Sequence, residues 1–238
     1  MQKILRIFFL LPLAACASPV IPPAAPHWEM SSAYVTDTLL KSNATLAEEL
    51  RYKTLVSLRS RDLPNVWPRY RKMAARMGIT PLPALYLDTA DAQALPQASA
   101  RFSREGSSYI VINTEAREAW DSRELAAVLG HELVHLKERH VTAEHLAEAF
   151  NHPEVSVAHE LMADEVGSGP LGSCDPLALE EALRIAADRD RLSYMQKNPR
   201  SAQDYNALIG EDHPHIEQRA QALEATAANL PTGCKGRN

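Results

Sequence analysis

Apolar residues recur at helical or strand-like intervals in several separated stretches of the chain. Ala44 to Leu58 carries Leu46, Leu50, Leu55 and Leu58 among charged residues, which predicts an amphipathic helix. Trp67 to Met77 has a similar mixture and stops at Gly78, so a second helix is expected there. After Pro83, the short run Ala84-Leu85-Tyr86-Leu87 ends at Asp88 and suits a strand. Tyr109-Ile110-Val111-Ile112 is aromatic and β-branched and predicts another. The turn-like cluster Arg104-Glu105-Gly106-Ser107-Ser108 would reverse the chain into it from a strand near Ser99–Ser103, making a hairpin. Asp121 and Glu124 have the spacing of a capping box, opening a helix with Leu125, Ala126, Val128, Leu129, Leu133 and Leu136 on its apolar positions. Further helices are expected from Val155 to Val166, stopped by Gly167-Ser168-Gly169-Pro170, and from Pro176 to Tyr194. The elements predict an α+β fold, mainly helical, with a small hairpin or sheet beside the helix that begins at Asp121.

The N-terminus has a different pattern. Lys3 and Arg6 precede a short apolar run, Ile7 to Leu13, too short for a permanent membrane span, and small residues then lead into Cys16. The ending Leu13-Ala14-Ala15-Cys16 resembles the lipobox of bacterial lipoproteins. That resemblance implies cleavage before Cys16 and lipidation of its sulfur, whereas a plain secretory signal would still imply export. Ala17 in place of an acidic residue favours the periplasmic face of the outer membrane. Four prolines between Ser18 and Pro26 predict an extended spacer. The expected organisation is a signal peptide over 1–15, a lipidated cysteine and Pro-rich tether over 16–27, and one domain over 28–238.

Composition narrows the function. With 238 residues and 45% apolar content, one ordinary core can be buried. The 25 Lys and Arg against 30 Asp and Glu, with no basic block, make nucleic acid an unsuitable partner. Of three cysteines, lipidation would use Cys16; Cys174 and Cys234 are expected to pair in an oxidising compartment, the alternative being two separate thiols.

The chemistry centres on His131-Glu132-Leu133-Val134-His135. Histidines four apart on a helix share a face and can converge on one zinc ion, with Glu132 placed to activate an attacking water. Catalytic zinc normally takes three protein ligands, so a third must come from elsewhere. Downstream, Glu160 and Asp164 lie four apart in another expected helix. Glu160 can ligate zinc, and Asp164 can accept the free N–H of a ligating histidine and fix its tautomer. Gly130 admits two readings, ordinary close helix packing or room for a substrate or strand beside the metal.

Glu160-Leu-Met-Ala163-Asp164-Glu-Val-Gly167 resembles the E-x-x-A-D-x-x-G element of the HtpX-like and Oma-type gluzincin metallopeptidases. The strand before Glu124–Gly130, then Asp175-Pro176, His213-Pro214 and Arg219, are similar to other landmarks of that family, so the resemblance spans roughly residues 40 to 225. It implies a zincin-like protease domain with zinc held by His131, His135 and Glu160, and with Glu132 as general base and then acid. The interval from His135 to Glu160 is shorter than is usual there, so an excursion between the motif helices is missing or reduced. The resemblance also brings His213 near the site, as an oxyanion donor or as a gate on the metal; read alone, it is a loop histidine before a proline. His140, His145, His152, His159 and His215 are read as surface or supporting residues. His159 adjoins Glu160, but neighbours on a helix point about 100° apart and do not both face one ion.

The function expected is a zinc endopeptidase of the cell envelope that hydrolyses unfolded or misassembled proteins, its substrate extended along Tyr109–Asn113 as an added strand. The alternatives are a non-catalytic zinc-binding lipoprotein of chaperone or scaffold type, and a thermolysin-like gluzincin of another family, for which a large β-rich N-terminal lobe would speak.

Overall fold

The computed structural model describes residues 55–89, 95–103, 106–197 and 216–234. Within them, Leu55–Leu58 is not the end of a helix but a strand, β1. Its three-residue leucine spacing fits a helix, yet antiparallel pairing with β2 (Ala84–Asp88) supplies its backbone bonds from a distant segment and overrides the local pattern. Residues 44–54 of that expected helix lie outside the described residues, as do Cys16, the signal and the tether.

Helix α1 spans Trp67–Arg76 with a proline in its first turn, and buries Tyr70, Met73 and Ala74. It ends at Gly78, whose φ of +72° allows Ile79 N–H to reach back to Ala74 C=O at 2.9 Å. The Tyr70 hydroxyl donates to Pro83 C=O at 2.9 Å, pinning the helix to the entry of β2.

Strands β3 (Ala98–Phe102) and β4 (Ser108–Asn113) form the expected hairpin, and the sheet order is β1-β2-β4-β3. The β2–β4 pairing is parallel. Since β4 lies between β2 and β3, Tyr109–Asn113 offers no edge to a peptide; among the described residues, the free edge near the hairpin is β3. A single run of sequence does not carry strand order, and the burial that made Tyr109–Ile112 legible as a strand also marks it as central. On one face Leu85, Leu87, Ala100, Ile110 and Ile112 join the main helical core; on the other, Tyr86, Tyr109 and Val111 make a smaller cluster.

Asn113 closes β4 and caps the short helix α2 (Thr114–Ala119), its side chain accepting from Ala116 N–H. Helix α3 (Ser122–Lys137) opens with the complete Asp121–Glu124 capping box, and every residue from Glu124 to Leu136 is buried. Two elements escape the periodicity argument: α4 (Ala143–Asn151), which occupies the shortened interval between the motif helices, and α7 (Ile216–Ala228). Helices α5 (Pro153–Ser168) and α6 (Pro176–Lys197) match the expected positions. The mainly helical α+β layout with one small sheet is that of a zincin-like peptidase domain.

Helix α5 runs through Gly167 because that glycine faces another helix rather than a turn. A Cβ there would stand 2.6 Å from both N and Cα of His131, and one on Gly130 would collide with the Gly167 carbonyl. Gly130 is therefore a packing residue, in backbone contact with α5. Beyond α5, Cys174 is bonded to Cys234, with 5.3 Å between Cα atoms, and Arg123 pairs with Asp175 through two bonds of 3.0 and 3.1 Å.

Gly167→Ala should lower folding stability by roughly 1–3 kcal/mol, since the added methyl meets backbone that cannot rotate away. Urea unfolding checks this; a loss below about 0.5 kcal/mol, the ordinary scale of a surface change, would show that the helices can part freely.

Candidate metal centre

Four residues apart on α3, His131 and His135 are both buried and turn their Nε2 atoms to within 3.0 Å of each other. Glu160, from α5, completes the group: its Oε2 lies 3.4 Å from His131 Nε2 and its Oε1 lies 3.4 Å from His135 Nε2. One ligand atom from each of the three lies within 4.8 Å of the others. Zinc bonds of about 2.0–2.1 Å in a tetrahedron imply ligand separations of roughly 3.3–3.4 Å. The two imidazole–carboxylate separations match this, the two Nε2 atoms lie somewhat closer together, and the donor set, two imidazoles and a carboxylate, suits zinc.

The outward nitrogens are also held. His131 Nδ1 lies 2.9 Å from Asp164 Oδ1, and His135 Nδ1 lies 3.1 Å from His140 Nδ1. His140 stacks on His159, with ring centroids 3.8 Å apart and planes 9° apart, so His159 supports a neighbour instead of facing the ligand atoms. His145 is bonded to Thr142 Oγ1 and His152 pairs with Glu154 at the surface. His213 and His215 lie outside the described residues.

Arg219, from α7, completes the surroundings. Its Nε and one terminal nitrogen donate to the two oxygens of Asp164, each at 2.7 Å, while the other terminal nitrogen is 3.3 Å from Glu160 Oε2. The planar fork suits this task in a way an ammonium does not. Its sequence signal was a landmark within a resemblance; that it would bridge both acidic residues depends on where α7 docks.

Burial governs the ionisation here and neighbours correct it. Burial opposes charge on Asp164, but the bonds from His131 and Arg219 prevail and keep it an anion. Glu160 is likewise held well below the usual carboxylate range, burial being overcome by the bond to His131 and the charges of His135, His131 and Arg219. Burial opposes a proton on His131, yet Asp164 and Glu160 hold its pKa up at about 10. Burial drives His135 down to about 3. His140, through burial and the nearby His159, is pushed down to about 4 and is neutral at ordinary pH.

Glu132 follows His131 on α3 and points to the sheet. One of its oxygens accepts Ala100 N–H at 2.6 Å. In the hairpin, Asn113 N–H bonds to Gln97 C=O and Ser103 N–H to Ser107 C=O, so odd-numbered residues of β3 pair inward and Ala98, Ala100 and Phe102 turn their backbone groups to the free edge. Glu132 thus sits at that edge. Burial raises its pKa despite the opposing charge of His131, leaving a carboxylate readier to take up a proton than an exposed one. Nothing in the residue Ala100 announces this contact; it is made by the backbone.

Arg219→Leu should cost roughly 3–5 kcal/mol of folding stability, because Asp164 and Glu160 lose their shared cation while remaining buried. Arg219→Lys should recover only part, since one ammonium cannot reproduce the two parallel bonds. Urea unfolding of the zinc-loaded protein measures both; equal stability of the Leu variant and wild type would remove Arg219 from the support of the site.

Comparison with curated proteins finds no match. A sequence model of Peptidase family M48 matches residues 69–227, which takes in the sheet from β2 onward, both motif helices and Arg219. His131, His135 and Glu160 meet within that span, and M48 peptidases are zinc metalloproteases. The chain belongs to Peptidase family M48.

Proposed function

We propose that the protein is a zinc-dependent endopeptidase tethered in the bacterial cell envelope, where it hydrolyses unfolded or misassembled polypeptides. The observation that carries this reading is the position of Glu132, which stands between the two zinc-type histidines and the free edge of β3. A site that only held zinc for structure would have no use for a buried carboxylate there.

His131, His135 and Glu160 would hold the metal. When bound, zinc supplies a Lewis acid that polarises the scissile carbonyl and makes water acidic enough to react near neutral pH. Ala98 and Phe102, with the Ala100 C=O, offer the backbone groups against which an extended substrate can lie as an added strand. The Ala100 N–H fixes one Glu132 oxygen, leaving the other to take the proton of the attacking water and return it to the leaving amine. The raised pKa suits both halves of that transfer. No acyl-enzyme is required.

Recognition through strand addition needs a segment free of its own secondary structure, which supports unfolded substrates. The envelope location rests on the N-terminal pattern ending in Cys16, and the Cys174–Cys234 disulfide agrees with an oxidising compartment. On this reading residues 1–15 are a signal, 16–27 a lipidated tether on the outer membrane, and 28–238 the peptidase domain. His213 remains a candidate second catalytic group beside the metal.

The test is a soluble form lacking residues 1–16, assayed for bound zinc and for cleavage of an unfolded protein. Glu132→Gln should retain zinc and lose about 10²–10⁴-fold in cleavage rate. Equal cleavage by that variant would sink the mechanism, and zinc retention with no cleavage by wild type under any condition would favour a binding role. Glu160→Ala should release zinc; unchanged metal content would remove it from the ligand set.

A further inference from the structure

Helix α3 ends in a way that concerns its last metal-ligand residue. Arg139 adopts a φ of +63°, and its N–H lies 3.3 Å from Leu136 C=O while His140 N–H bonds to His135 C=O at 3.0 Å. This pair of bonds is the Schellman ending, in which the second residue past the cap folds back over the third-last residue of the helix. At the end of α1 the same turn uses Gly78. Here it uses a residue with a Cβ, and the Arg139 guanidinium lies 5.5 Å from the centre of the Phe102 ring, a cation–π contact that helps offset the strained backbone.

The residue folded back is His140, and the one beneath it is His135. Most Schellman endings make an apolar contact at this point. This one places two imidazole nitrogens 3.1 Å apart. The His140 ring is buried and fixed on its other side by the parallel His159 ring at 3.8 Å, so it has little freedom to turn away. A contact of that length between two Nδ1 atoms requires one to donate and the other to accept. As a metal ligand His135 must keep Nε2 as the bare nitrogen, because that is the atom turned toward the other two ligand groups, His131 Nε2 and Glu160 Oε1. Its proton then belongs on Nδ1, and the acceptor is His140.

We propose that His140 is a positioning residue of the metal centre, whose bare Nδ1 accepts the Nδ1–H of His135 and fixes the tautomer that presents Nε2 to the metal. It performs for His135 the service that Asp164 performs for His131. The inference rests on reading His131, His135 and Glu160 as zinc ligands, and it concerns a residue outside that set.

Zinc affinity by competition with a chromogenic chelator, the visible spectrum of the cobalt-substituted protein, and thermal unfolding of the metal-stripped protein test it together. His140→Phe keeps a ring to stack on His159 but offers no acceptor, and should weaken zinc binding by about 10–100-fold. His140→Asn places an oxygen near the lost Nδ1 and should bind within about fivefold of wild type, with the wild-type cobalt spectrum, on the same scale of outer-shell effects. His140→Leu has nearly the shape of Asn without the acceptor, so the Asn–Leu contrast decides the matter if the Phe variant does not fold. Equal zinc affinity of Asn and Leu, or a Phe variant as tight as wild type, overturns the proposal. If wild type itself binds no zinc, the metal-centre reading fails and takes the proposal with it; retained zinc in wild type with loss in Glu160→Ala isolates His140 as the point at issue.

Discussion

The close passage of α5 across α3 is the constraint on which the site depends. Gly130 and Gly167 meet backbone to backbone, with no room for even a methyl group between them. Side chains on the adjoining turns then span the gap: Asp164 at hydrogen-bond length from His131, and Glu160 at ligand-to-ligand distance from both imidazoles. Ordinary helix packing at 8–10 Å between axes has side chains interposed at the contact, and the two glycines remove them here. Glycine costs about 1 kcal/mol in a helix interior relative to alanine, and here that cost accompanies a ligand geometry that a larger residue would prevent.

Close approach concentrates negative charge. Glu132, Glu160 and Asp164 are drawn together in a poorly solvated region, where unpaired carboxylates are costly. Arg219 supplies one positive charge from α7, and a divalent cation among the three ligand groups supplies two, which balances three carboxylates. The third helix is not incidental to this arrangement. The Cys174–Cys234 bond joins the segment just after α5 to the segment just after α7, so the closed loop holds α7 and its Arg219 and is anchored a few residues beyond the helix that carries Glu160 and Asp164. In the loop-entropy account, a closed loop of this length contributes about 4 kcal/mol by restricting the unfolded chain.

Local signals made much of this readable from sequence. The capping box, the four-residue histidine spacing and the Glu160–Asp164 pair are set by helical geometry alone, and each lies on the helix it predicts. The β3–β4 hairpin is readable from the aromatic and β-branched run Tyr109–Ile112 and from the turn residues before it. What escaped depends on pairing at a distance. Leu55–Leu58 has a helical spacing and becomes a strand because β2 is there to bond it. The strand order that makes β3 the edge cannot be inferred from Tyr109–Asn113, however strongly that segment reads as a strand. The Gly-Ser-Gly-Pro stop holds, since the helix ends at Ser168 with Gly169 as its cap, but the role of Gly167 as a contact residue is set by a partner helix. The tie between His135 and His140 had a local signal, five residues at a helix end, but Arg139 in place of glycine concealed the turn.

Those same long-range contacts connect the metal centre to the strand that would hold a substrate. Ala100 on β3 bonds Glu132, and Phe102, two residues along on the same free edge, receives Arg139 from the end of the motif helix. The edge strand is thus fastened at two points, one within the histidine motif and one just past the end of α3. A peptide added to that edge would be located by backbone bonds to Ala98, to Phe102 and to the Ala100 C=O, and so placed relative to Glu132 regardless of its side chains. Backbone-directed placement fixes where a chain is cut without prescribing which residues flank the cut. Under the proposed activity, selection among substrates then falls to whether a segment can be extended at all, which is the property that separates an unfolded protein from a folded one.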